Sequence, residues 1–131
     1  MCLLGIHVQQ QGNILVVESD DLIRGLLEHW LREAGYVVAA RTLQTLAEDR
    51  MWEGPPHLII ADVPSPRGVE RLIQSVREVY PSPILILSAR FRRGLGASME
   101  VAGRLGVRTI LPKPFTRIEL LCAVGESIER S

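Results

Sequence analysis

Five short apolar runs recur along this chain, separated by stretches with helical periodicity. The runs are Ile14–Val17, Tyr36–Ala40, Leu58–Ala61, Ile84–Leu87 and Thr109–Leu111. Runs this short and rich in β-branched residues read as strands buried on both faces. Between the first two, Asp20-Asp21 opens a pattern in which Ile23, Leu26, Leu27, Trp30 and Leu31 share one face. Asp20 with Arg24 and Glu28 with Arg32 are spaced as i,i+4 pairs on the polar side, and Asp20 is also a candidate cap. Gly35 ends that helix. Further helices are expected over Thr42–Met51, Val69–Val79, Ser98–Leu105 and Ile118–Ile128.

Strand-then-helix alternation of this kind folds as a parallel sheet covered on both sides. Right-handed crossovers leave few topologies. The economical one is a single doubly wound α/β domain, a (βα)5 sheet in strand order 2-1-3-4-5, the flavodoxin-like arrangement. Residues 1–12 read as an irregular lead-in and residues 13–131 as the domain. At 131 residues and 47% hydrophobic content the chain can bury a core of its own. Its fifteen basic and fifteen acidic residues cancel, which argues against a general grip on nucleic acid or an anionic membrane. No apolar run is long enough to span a bilayer and no secretory leader is evident. Cys2 and Cys122 make no disulfide framework or zinc site, so a reducing cytoplasm is the expected setting. Cys122 reads as a small core hydrophobe, and Trp30 and Phe115 as core or groove residues.

Ligands of such sheets sit outside the carboxyl ends of the strands. Glu18, Ser19 and Asp20 follow the first strand, Asp62 the third, Ser88 the fourth and Lys113 the fifth. Carboxylates gathered there repel unless a cation intervenes, and hard oxygen donors suit Mg²⁺. A carboxylate can also act as a nucleophile and form an acyl phosphate. Lys113 is the only lysine, the other fourteen basic residues being arginine. A compact ammonium fits a crowded oxyanion site better than a planar guanidinium. His7, His29 and His57 have no metal-ligand spacing, and Gly94-x-Gly96 is no nucleotide loop. With no phosphate-cradling glycine loop after the first strand, a nucleotide-using flavodoxin-like enzyme is disfavoured.

Four blocks carry a resemblance: Ile14-Leu15-Val16-Val17-Glu18, Leu58-Ile59-Ile60-Ala61-Asp62, Ile86-Leu87-Ser88-Ala89-Arg90 and Leu111-Pro112-Lys113-Pro114-Phe115. Together, in this order, they resemble the receiver domain of two-component response regulators. The resemblance implies that Asp62 is the phospho-acceptor, taking a phosphoryl group from a sensor histidine kinase or phosphotransfer protein. It implies Mg²⁺ held by Glu18, Asp20, Asp62 and the Pro64 carbonyl, with Lys113, Ser88 and Ala89 meeting the phosphoryl group and drawing in the loop after the fourth strand. The product would be a signalling module, not an enzyme beyond self-catalysed phosphoryl transfer and dephosphorylation. It would stand alone, as a monomer or weak homodimer, and act by binding another protein.

Four departures qualify that expectation. Ser19 stands where the family has a second acid, so Glu18 or Asp20 takes over or Mg²⁺ binding weakens. The segment Asp62–Gly68 is about two residues short of the family's pattern and carries Pro64. Ile110 occupies a switch position where the family often has an aromatic residue. Phe91–Gly96 reads as an added exposed loop. A degenerate receiver, binding its partner without phosphorylation, is the alternative reading.

Overall fold

In the computed structural model, residues 12–46, 54–63, 68–88 and 102–129 are described. Strand β1 (Asn13–Val17) is followed by helix α1 (Asp21–Glu33), then β2 (Val37–Arg41) and β3 (Leu58–Val63). Helix α2 (Val69–Val79), β4 (Ile84–Ser88), β5 (Thr109–Pro112) and α3 (Arg117–Glu129) complete the order. All strand pairs are parallel and the sheet order is β2-β1-β3-β4-β5, as the alternating pattern predicts.

The two-residue period of the strands divides the core. Ile14, Val16, Leu58, Ile60, Leu85 and Leu87 face one way and pack with Leu27 and Leu31 of α1 and Leu120 and Val124 of α3. Leu15, Val17, Ile59, Ala61, Ile84 and Ile86 face the other way, against Ile73 and Val76 of α2. Central strands apolar on both faces are what a sheet covered by helices on both sides requires. Trp30 and Phe115 pack partly buried on the first of these cores. Ile110 is buried in the second.

Helix ends follow local chemistry. The Asp20 carboxylate accepts from the N–H groups of Leu22 and Ile23 at 2.9 and 3.0 Å, so Asp20 is the cap of α1. The expected Asp20–Arg24 pair therefore gives way to an Arg24–Asp21 ion pair, while Arg32 meets Glu28 as spaced. Gly35 follows α1 at a φ of +99°, a conformation open to glycine at little cost. Thr116 and Glu119 form a reciprocal capping box ahead of α3, the Thr116 hydroxyl taking the Glu119 N–H at 3.1 Å and the Glu119 carboxylate the Thr116 N–H at 2.9 Å. This box sets the start of α3 at Arg117, four residues after Lys113.

Local hydroxyl chemistry also corrects an expectation. Residues 43–46 form a bend and turn rather than the opening of a helix. The Thr42 N–H bonds the Thr45 hydroxyl at 3.0 Å and the Thr45 N–H returns to the Thr42 carbonyl at 3.2 Å. Threonine side chains compete in this way with helical hydrogen bonds. The rest of that expected helix, through Met51, lies outside the described residues, as do Pro64, Ala89, Phe91–Gly96 and the start of the expected Ser98–Leu105 helix, of which residues 102–105 are helical. Cys122 is half-buried on α3 and disulfide-bonded, not the core thiol expected from its apolar neighbours. No described helix is long and apolar enough to cross a membrane.

Candidate functional site

The register fixes which residues meet at the carboxyl edge. Val17 pairs with Ala61, Asp62 with Leu87, and Leu87 with Leu111. Glu18 follows Val17 as Asp62 follows Ala61, so the two acids stand in the same row of the sheet. By strand alternation Glu18, Asp62 and Lys113 continue the face of Val16, Ile60 and Leu111, the face that α1 and α3 cover.

The side chains converge as the rows predict. The Lys113 ammonium forms an ion pair with Oδ1 of Asp62, with the two side chains 24% and 12% exposed. Apart from that ion pair, the buried Oδ1 has no hydrogen-bond partner. The Lys113 N–H donates to the Ser88 carbonyl at 2.8 Å, which ties the end of β5 to the end of β4. The Lys113–Pro114 peptide is cis. Ser88 is fully buried opposite Val63 and Pro112, one row beyond Asp62.

Glu18 is only 3% exposed. Its Oε2 accepts the Asp20 N–H at 3.2 Å, and its buried Oε1 has no hydrogen-bond partner. Burial pushes the Glu18 carboxyl above the usual carboxylate range. The Asp20 N–H pulls it down, the Asp62 charge pushes it up, and the Lys113 charge pulls it down again. The three groups therefore form one electrostatic unit. Ser19 and Asp20 are exposed, and the Asp20 carboxylate is engaged at the N-terminus of α1. Of the acids after β1, Glu18 and not Asp20 is the one that turns inward.

Among the described residues no cluster of three or more acidic, histidine or cysteine side chains forms a ready metal cage. The donors present still fit a hard cation that keeps much of its water. The buried Glu18 Oε1 has no hydrogen-bond donor, the buried Asp62 Oδ1 has only the Lys113 ammonium, and a buried carboxylate oxygen without a partner is costly unless a cation approaches. One carboxylate fewer implies a weaker hold. The two described histidines take ordinary roles, His7 lying outside the described residues: His57 Nδ1 accepts the Asn13 N–H at 2.9 Å, and His29 lies 3.0 Å from Glu33 on the surface of α1.

Comparison with known proteins agrees with this geometry. The family model for the response regulator receiver domain matches residues 14–125, and the chain belongs to that family. It is 33% identical over 122 residues to Protein PetR of Rhodobacter capsulatus, covering 90% of this chain and 49% of that protein. It is 32% identical over 123 residues to the DNA-binding transcriptional regulator NtrC of a Bradyrhizobium strain, covering 89% of this chain and 24% of that protein. The chain thus spans about half and about a quarter of these relatives. Among solved structures, the chemotaxis response regulator CheY4 of Vibrio cholerae is 25% identical, with a TM-score of 0.67 over 90% of this chain and 99% of that one. The receiver domain of HemR from Leptospira biflexa is also 25% identical, with a TM-score of 0.68 over 88% of this chain and 93% of that one. Receiver domains are two-component signalling modules that accept a phosphoryl group, and they typically bind Mg²⁺ at that site.

Proposed function

We propose that this chain is a phospho-accepting receiver in which Asp62 is the nucleophile. A carboxylate oxygen of Asp62 attacks the phosphorus of a phosphohistidine on a kinase or phosphotransfer partner. The new O–P bond forms as the N–P bond breaks, and the electron pair leaves with the imidazole. The observation that carries this reading is the Lys113–Asp62 ion pair, which unites two distant strand ends beside an inward-facing Glu18. Lys113 holds the acceptor before transfer and meets the phosphoryl oxygens afterward. Glu18 Oε1 and Asp62 are the side chains that would hold Mg²⁺, with Pro64 contributing its carbonyl; bound there, the ion offsets charge on the transferring phosphoryl oxygens. Ser88, with Ala89, acts at the end of β4 as the phosphoryl-sensing switch. Its buried position and its link to Lys113 support that role. The domain comprises residues 13–131, and the output is a change in binding to another protein.

Titration with beryllofluoride in Mg²⁺, followed by amide NMR, tests the reading. Saturable shifts at the ends of β3, β4 and β5 are expected in the wild type and not in Asp62→Ala. Equal shifts in the two proteins would remove it. A second reading, a receiver that binds its partner unphosphorylated, is favoured by one observation: Ser19 is exposed and offers no carboxylate where the family has one. Partner binding that is indifferent to beryllofluoride would select it.

A further inference from the structure

We propose that Arg24 is a positioning residue for the Glu18 carboxylate, and through it for the divalent cation. The inference rests on the reading above that a cation is held by Glu18 and Asp62. Arg24 lies one turn into α1, and its side chain is 22% exposed. Its Nη1 donates to the main-chain carbonyl of Glu18 at 2.8 Å, and its Nη2 pairs with Asp21. The guanidinium fork thus spans the turn between β1 and α1.

Both main-chain polar groups of Glu18 are then fixed. The N–H is held by the Arg41 carbonyl of β2 at 3.0 Å, and the carbonyl by Arg24. In the side chain, Oε2 is taken by the Asp20 N–H, which leaves Oε1 as the one inward-facing buried oxygen without a hydrogen bond. Of these restraints, only the one on the carbonyl comes from a side chain. It matters more here than it would beside a second acid. Ser19 brings no charge, and the Asp20 carboxylate is engaged in capping α1, so the donor contribution of this turn falls to a single oxygen. Asp21 neutralises the guanidinium, so Arg24 can stand close to the site without opposing a cation. Groups that orient a ligand from behind typically change metal affinity by one to two orders of magnitude when removed.

The test is Mg²⁺ titration by calorimetry on the full chain, with thermal unfolding measured in parallel. Arg24→Met is expected to weaken Mg²⁺ binding about tenfold, and Arg24→Lys to recover most of it through a single bond to the carbonyl. Arg32→Met is the control. Arg32 also pairs with an acid of α1 and donates to a main-chain carbonyl, that of Val38, but it lies away from the site. It should lower the unfolding temperature comparably and leave Mg²⁺ affinity unchanged. Equal affinity in Arg24→Met and wild type would overturn the inference alone, as would an equal loss in Arg32→Met. Absence of saturable Mg²⁺ binding in the wild type would overturn both the inference and the cation reading it rests on.

Discussion

The two sides of the carboxyl edge are built differently. On the side of β3 and β5, Asp62 and Lys113 stand paired. On the side of β1, the acid of the turn is a glutamate, its neighbour is a serine, and an arginine laces the main chain. The contrast separates two tasks. Accepting a phosphoryl group needs a nucleophile with a cation beside it, and that arrangement is present. Holding a divalent ion needs several hard donors, and here the donor set is thin. Phosphoryl chemistry in this chain should therefore be lost sharply on one side of the site and tuned gradually on the other.

Mutations on the two sides sharpen that contrast. The largest effect is expected from Lys113→Met. It leaves the Asp62 charge, nearly buried, without its partner and should cost about 2 kcal/mol in chemical denaturation. The double variant Asp62→Asn with Lys113→Met should cost less than the sum of the two single changes. Additive costs would mean that the ion pair contributes nothing. Next, Ser19→Asp should strengthen Mg²⁺ binding about tenfold by restoring an acid to the turn, and it should lower the stability of the metal-free protein through repulsion with Glu18. Unchanged Mg²⁺ affinity would show that position 19 does not face the cation.

A smaller effect is read in pH. The Glu18 pKa is raised in the folded state by burial. Without metal, folding therefore favours its protonated form. Its stabilising contribution is complete below the ordinary carboxyl pKa and is lost as pH rises through the elevated folded value. Glu18→Gln should remove this slope from the metal-free stability curve while weakening Mg²⁺ binding. The smallest effect lies at the opposite end of the sheet, at Tyr36. Burial, with the Glu129 charge second, raises its pKa above 10.0. Stability should fall as pH rises through the ordinary tyrosine pKa toward the raised one, and Tyr36→Phe should flatten that decline with no change in Mg²⁺ affinity.

The sheet was legible because buried parallel strands are written as plain apolar runs. Asp62, Ser88 and Lys113 were legible as the residues that end those runs. Asp20 was harder, since capping and metal ligation call for the same side chain; the N–H groups of Leu22 and Ile23, which have no partner within the helix and take the Asp20 carboxylate, decide it. Once Asp20 is a cap, Arg24 is released from the pairing its spacing suggests and reaches Glu18 instead. That consequence lies in three-dimensional competition rather than in spacing. The Thr116–Glu119 box was present in the sequence as a Thr-x-x-Glu pattern and marks the start of α3 more sharply than hydrophobic periodicity does.

Intact-mass measurement after incubation with acetyl phosphate and Mg²⁺ tests the central claim most directly. The account predicts that wild-type protein gains one phosphoryl group, labile at alkaline pH as an acyl phosphate is, and that Asp62→Ala gains none. A wild type that stays unmodified, or an Asp62→Ala variant modified to the same extent, would contradict it.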